Sequence, residues 1–177
     1  MDQTGSAPTD LDDCRLTAVG LLFEVSQAIE GLLAPQLAEF GLSGVEMGVL
    51  IRLARTPDNR LRMSDLALQC DLSASGLTRV VDRLEKSGDV RRDACVGDRR
   101  VTYAVLTQAG MHRVTSMLPG HVAQVEEVFT GLLEPAELAA MLDALRTIRD
   151  SIRPGSTAGA EGHAEDDLAN RSTPASA

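Results

Sequence analysis

The sequence predicts a mainly α chain with one small β-hairpin set among its helices. Three observations carry that expectation. Apolar residues recur at three-to-four spacing over most of the chain. The segment 89–106 instead forms two short runs, near 89–94 and 101–106, joined by a turn of Cys95, Val96, Gly97, Asp98, Arg99 and Arg100. Two short helical patterns precede this hairpin and a long one follows it. That order, with arginines at the hairpin tip, is a winged helix-turn-helix, here flanked by long N- and C-terminal helices.

The elements follow in chain order. Residues 1–13 hold Gly, Ser, Pro, Thr and Asp with little to bury, and are expected to be a disordered acidic N-terminus. A long helix from about Arg15 to Phe40 is read from Leu16, Val19, Leu22, Phe23, Ile29, Leu33 and Leu37, with a kink or break expected at Pro35. Asp12 and Asp13 precede it as capping or solvated residues. Gly41 suits a helix end, and Ser43 with Glu46 three residues on suits the start of a helix over 44–55. Thr56, Pro57, Asp58 and Asn59 form a turn. Leu61, Arg62 and Met63 can pair with the hairpin as a third strand.

Ser64 and Ser73 stand where caps are wanted for helices over 64–69 and 74–86, separated by a break at Cys70, Asp71 and Leu72. In the second of these, Leu77, Val80, Val81 and Leu84 make an apolar face. Ser75, Thr78, Arg79, Asp82 and Arg83 make a polar one, so the helix can pack on one side and present the other. Gly88 ends it. Thr107 can cap a helix running to about Leu133, bent or interrupted at Pro119 and Gly120. Glu134 and Pro135 start a last helix to about Ile152, striped by Leu138, Met141, Leu142, Leu145, Ile148 and Ile152. The Gly-, Ala-, Ser- and acid-rich segment 154–177 has no periodicity and is expected to be a disordered acidic tail.

The apolar stripes of the terminal helices exceed what a small helix-turn-helix lobe can cover. The economical solution is a two-fold partner, sharing a core near Leu22, Ile29, Leu118, Val122, Val125, Phe129, Leu138, Met141, Leu145 and Ile148. The expected division is then a dimerisation helix over 14–42 and a winged lobe over 43–107, with its recognition helix at 74–87 and its wing at 89–106. Further dimerisation helices occupy 108–153. No apolar run is expected to reach the length needed to cross a bilayer. The acidic N-terminus lacks the basic and apolar parts of a signal peptide, so a cytoplasmic location is expected.

The formal net charge of −9 opposes nucleic-acid binding at first sight, but its distribution weakens the objection. Residues 1–13 carry −4 and residues 154–177 carry −3, leaving −2 on 14–153. Residues 60–100 hold nine basic and seven acidic side chains. Local phosphate contacts matter more than total charge, so salt-sensitive, sequence-dependent binding to double-stranded DNA is expected. Ser73, Ser75, Gly76, Thr78, Arg79 and Arg83 are the recognition-helix candidates. The small residues allow close approach to the groove floor, the hydroxyls can bond to phosphate or base edges, and Arg79 can reach guanine. At the wing, Gly97 allows a tight loop and Asp98 can orient Arg99 or Arg100 towards a narrow minor groove. Arg91 and Arg92 at the hairpin base can meet flanking phosphates.

Other chemistry is not indicated. Cys14, Cys70 and Cys95 are an odd number with no metal-ligand spacing. His112, His121 and His163 do not cluster with acids, and there is no glycine-rich phosphate loop. No enzyme, metal or cofactor is expected. A winged module that binds protein instead of DNA is the competing reading, and a transcriptional activator would use the same contacts.

Taken together, Leu-Thr-Arg-Val-Val-Asp-Arg-Leu-Glu-Lys-Ser-Gly at 77–88, Asp-Arg-Arg at 98–100 and Leu-Thr-Gln-Ala-Gly at 106–110 make the chain resemble the MarR family of bacterial transcriptional regulators over about residues 15–152. The resemblance implies a triangular homodimer that binds pseudopalindromic operators, most often as a repressor. Its wing arginine would be Arg100, with Asp98 as orienting partner. It also implies that a small aromatic or phenolic effector can bind between the dimer helices and the DNA-binding lobe. Candidate lining residues are Phe23, Leu32, Leu33, Phe40, Met47, Ile51, Arg52 and Met111. Cys14 stands near the helix start where peroxide-sensing members carry a reactive thiol. Those members support the thiol with nearby tyrosines, whereas the only Tyr here is Tyr103.

Overall fold

The computed structural model describes residues 13–94 and 100–153. Six helices and three strands follow in the order α1 (Cys14–Glu39), α2 (Gly44–Arg55), β1 (Arg60–Arg62), α3 (Met63–Gln69), α4 (Ala74–Lys86), β2 (Val90–Ala94), β3 (Thr102–Leu106), α5 (Gln108–Val128) and α6 (Pro135–Ile152). Single 3-10 turns lie at Pro57–Asn59 and Thr130–Leu132. The sheet is antiparallel with β3 in the middle. Arg60 to Arg62 face Val105 to Tyr103 on one side of it, and Val90 to Ala94 face Leu106 to Thr102 on the other. This is a winged helix-turn-helix in a mainly α chain, as the periodicities predict.

The helix starts are set by side chains. Asp13 accepts from the Arg15 N–H at 2.9 Å and opens α1. Ser43 and Glu46 form the reciprocal capping box of α2. Ser73 and Thr107 each accept, at 3.0 Å, from the N–H three residues on. Ser64 does not cap α3, which begins one residue earlier with Arg62 at the cap position and no side-chain cap bond. Gly41 and Gly88 take left-handed φ values of 65° and 81° at helix ends, a conformation that costs a residue with a Cβ roughly 1 kcal/mol or more.

Neither proline breaks its helix. α1 runs through Pro35 and α5 through Pro119. Both prolines, and the residues four earlier whose carbonyls they leave unbonded, lie on exposed faces, so water can satisfy those carbonyls. Instead α5 ends at Val128, short of Leu133, where Phe129 leaves helical geometry and Gly131 backs onto Glu126. A Cβ at Gly131 would stand 2.5 Å from the Glu126 carbonyl oxygen.

The core sits inside the winged lobe. Val49, Leu50 and Leu53 of α2, Leu66 of α3, Leu77, Val81 and Leu84 of α4, Ala104 of β3 and Met117 of α5 are all but inaccessible. At its edge the buried Asp89 pairs with Arg113 of α5, and its carbonyl accepts from the Thr107 N–H at 2.9 Å. The α4–β2 corner is thereby locked to the start of α5. Helix α1 packs on α5 through Gln124, which donates to the Leu32 carbonyl at 2.9 Å, and through the His121–Gln36 contact at 3.1 Å. Partial burial holds the His121 pKa below its ordinary value.

The terminal helices are different. On α1, Leu16, Val19, Leu22 and Phe23 are at least half exposed, and on α6 Ile148 and Ile152 are 50% and 70% exposed. By length and composition α1 could also cross a bilayer, which corrects the expectation that no segment approaches that length. Its apolar residues are interrupted by Glu24, Ser26, Gln27 and Glu30, so no single run reveals it.

Candidate nucleic-acid interface

Helix α4 stands on its apolar face. Leu77, Val80, Val81 and Leu84 are buried, which leaves Ser75, Thr78 and Arg79 exposed on the outer side. The hydroxyls at its start are partly committed. Ser73 caps Gly76 and lies 3.2 Å from the Ser75 hydroxyl, and Thr78 donates to the Ala74 carbonyl at 2.8 Å. Gly76 sits against this cap, where a Cβ would stand 3.1 Å from Ser73 Oγ. Arg79 is exposed on the outward face.

Arg83, predicted as a contact, lies on the same helix, 55% exposed, and also pairs with α2. Its Nε donates to Glu46 Oε1 at 2.6 Å, and Glu46 is the buried carboxylate that also closes the α2 capping box. Arg83 therefore ties α4 to α2. Arg92 behaves likewise. From β2 its guanidinium reaches Asp82 at 2.7 Å, Glu85, and the Thr78 carbonyl at 3.2 Å, clamping the wing against α4. Arg91 pairs with Asp93 on the opposite face of the strand. These ion pairs explain how a short helix is held at a fixed angle to the sheet, and sequence position alone did not reveal them.

Burial raises the Glu46 pKa, but the Arg83 guanidinium and the Ser43 donors outweigh it and hold the carboxyl below its ordinary value. A depressed folded-state carboxylate contributes stability above its unfolded pKa, about 4.3, and loses it as pH falls through the folded value. Acid unfolding of Glu46→Gln is accordingly expected to depend less on pH below about 4.3 than that of the parent, because the variant has no proton to take up there. Urea titrations at a series of pH values check this, and parallel stability curves would refute it.

Arg100, at the end of the wing, is exposed. With Arg62, Met63, Ser64, Thr78, Asp82, Arg92, Val101 and Thr102 it lines a cavity of about 480 Å³ between α4 and the wing sheet. Asp98, Arg99 and Cys95 lie outside the described residues. Two arginines the sequence reading passed over complete this side. Arg60 stacks over the Tyr103 ring at 4.0 Å from its centroid, and Arg62 Nε lies 3.4 Å from the Tyr103 hydroxyl. The signal was there in Arg-x-Arg at strand alternation opposite the only tyrosine.

The predicted effector-lining residues differ in their surroundings. Met47 is part of the core, and Phe40, Ile51 and Met111 pack against it, while Phe23 is exposed on α1. Arg52 lines a cavity of about 290 Å³, with Glu30, Gly44, Val45, Gly48 and Cys70. Burial pushes the Cys70 thiol up against the opposing pull of Arg52. Cys14 is exposed at the first residue of α1, while Tyr103 belongs to the wing.

Residues 40–101 match the model of the MarR family. The chain is similar to the HTH-type transcriptional repressor YetL of Bacillus subtilis (strain 168), 29% identical over 107 residues, a match covering 60% of this chain and 64% of that protein. It thus spans just under two thirds of that relative's length. Two solved structures from Streptomyces coelicolor are also similar. AbsC, a MarR family transcriptional regulator, is 35% identical with a TM-score of 0.73, over 80% of this chain and 95% of that one. Sco3205, a MarR family transcriptional regulator in complex with DNA, is 32% identical with a TM-score of 0.73, over 78% and 87%.

Proposed function

The chain belongs to the MarR family, and on that premise we propose that it is a sequence-specific double-stranded DNA-binding regulator that acts as a dimeric repressor in the bacterial cytoplasm. It works by occupying an operator and not by catalysis. The observation that carries the reading is helix α4, buried on one face and clamped by Arg83 and Arg92, with Arg79 outward beside a wing that ends in Arg100. That arrangement fits a major groove at the helix and a minor groove at the wing. The name of YetL supports repression, although the sign of regulation depends on where the operator lies relative to a promoter.

A second copy of the chain is the proposed cover for the exposed apolar residues of α1 and α6. Each Leu or Ile buried there contributes roughly 1.5–3 kcal/mol. Two recognition helices would then meet successive major-groove faces about 34–36 Å apart, on a pseudopalindrome. The Arg52 cavity between α1, α2 and the end of α3 is the proposed seat of a small effector, aromatic or phenolic, with Arg52 as partner for an anionic group.

Selection from a random duplex library with the purified chain tests the reading. A two-fold-symmetric motif is expected, and a folded dimer that enriches nothing would favour a protein-binding module. On the selected duplex, Arg79→Ala is expected to cost about 1–3 kcal/mol and relax base preference at one position. Arg100→Ala is expected to weaken binding without lowering the thermal midpoint. Anisotropy titrations over single-base operator variants check both, and unchanged profiles would remove those roles.

A further inference from the structure

Helix α5 leaves the winged lobe, and the end of α6 comes back to it. On α6 the buried residue is Leu138, near its start, and Ile152 at its end is exposed. Arg153, which closes the helix, behaves differently. Its side chain is 33% exposed and points back to the helix-turn-helix, where the guanidinium donates to the Leu68 carbonyl at 2.8 Å and pairs with Asp71 at 3.0 Å.

Both partners belong to the passage from α3 to α4. Leu68 stands in the last turn of α3, where carbonyls lack acceptable donors from the helix itself, and the Asp71 N–H reaches this one at 3.4 Å. The last turn of α3 has no basic residue of its own. The negative end of that helix is met instead by a cation from 85 residues along the chain. Asp71 takes a left-handed φ of 56° in the turn, and Ser73, two residues on, caps α4. Arg153 thus holds a carbonyl before the turn and a carboxylate inside it. An exposed ion pair alone contributes little. One guanidinium fork bonded at both places restricts how α4 leaves α3. Arg83 and Arg92 hold α4 along its length, and Arg153 holds the turn at its start.

We propose that Arg153 is a positioning residue for DNA binding, which from the end of α6 fixes the turn before α4 and so the angle at which the outer face of α4 meets a groove. The exposed apolar residues of α6 are among those proposed to meet a second copy, so the same side chain joins that surface to the DNA-facing helix. The proposal rests on the DNA-binding reading and adds to it a residue outside the helix-turn-helix that acts without touching DNA.

The test compares Arg153→Ala with the unaltered full chain. Anisotropy is read on a duplex recovered by selection and on a scramble of equal length, and hydrogen exchange is read without DNA. A misplaced α4 harms base recognition more than general attraction to phosphate. Affinity for the selected duplex is expected to fall on the order of 3- to 10-fold while that for the scramble holds. The slope of log K against log salt is expected to stay as it was, because no phosphate contact is removed. Arg153→Lys keeps a cation at the end of α3 and is expected to recover part of the loss. The amides of Cys70, Asp71 and Leu72, bonded to the carbonyls of Leu66, Leu68 and Ala67, are expected to exchange several-fold faster in Arg153→Ala, while those of β2 and β3 keep their rates.

An equal loss on both duplexes with a shallower slope would make Arg153 a phosphate contact and overturn the proposal. So would unchanged discrimination between the duplexes, or a loss that ultracentrifugation traces to dissociation of the protein into monomers. An unaltered chain that prefers neither duplex would defeat the DNA-binding reading itself, and this proposal with it.

Discussion

A Gly110→Ala chain is expected to lose about 3 kcal/mol of stability, and more if the winged lobe cannot shift. Gly110 lies in the first turn of α5, where the substitution would ordinarily stabilise a helix by up to about 1 kcal/mol. Here the sign reverses. A Cβ would fall on the Asp89 carbonyl oxygen, 2.9 Å from the carbonyl carbon and 2.8 Å from Leu106 Cδ1. That carbonyl cannot retreat, because it accepts from both the N–H and the hydroxyl of Thr107, and the Asp89 carboxylate is paired with Arg113. Relief would require opening the corner that joins α4 and β2 to α5. Urea unfolding gives the value, and a loss under about 1 kcal/mol would mean that the corner yields easily. Because this corner sets the wing against the recognition helix, residual folded protein should also bind DNA less tightly.

Leu22→Arg carries the second large effect. Leu22 is 51% exposed on α1, among other apolar side chains with no cover in the single chain. The substitution touches nothing in the winged core, so the fold of that lobe and its helical content should persist. If a second copy covers α1, placing a guanidinium there should yield monomers at micromolar concentration. Losing the linked second half-site should then weaken operator binding on the order of a hundredfold or more. Analytical ultracentrifugation and anisotropy on the same samples separate the two effects. A variant that remains dimeric with unaltered affinity would place the shared surface elsewhere, whereas a monomer that still binds the full operator tightly would show that the two half-sites do not act together.

Much of the fold was legible because its signals are local. Ser43 with Glu46, Ser73 and Thr107 announce helix starts through bonds three residues long, and all three act as caps. The two short runs joined by the turn at 95–100 and the three-to-four spacing of 77–84 identify hairpin and helix without reference to anything distant. Where a local signal misled, the environment had overridden it. Pro35 and Pro119 leave their helices unbroken, and the residues four earlier are exposed, where water can satisfy a freed carbonyl. Ser64 loses its capping place because β1 runs directly into α3.

By itself the sequence determined the class of the molecule, the element order, helix α4 and which of its faces is buried, since these depend on periodicity and on neighbours within a turn. Tertiary structure alone decided what each polar side chain does. Arg79 and Arg83 look equivalent on the helix and both are exposed, yet Glu46, 37 residues away in the chain, holds Arg83 at 2.6 Å. Arg92 became a clamp through Asp82 and Glu85, and Arg62 gained a place beside the wing through Tyr103, 41 residues on. The physical reason is the range of the interactions. Burial patterns repeat along the chain and can be counted, whereas an ion pair depends on a few ångströms between groups whose separation in sequence is arbitrary.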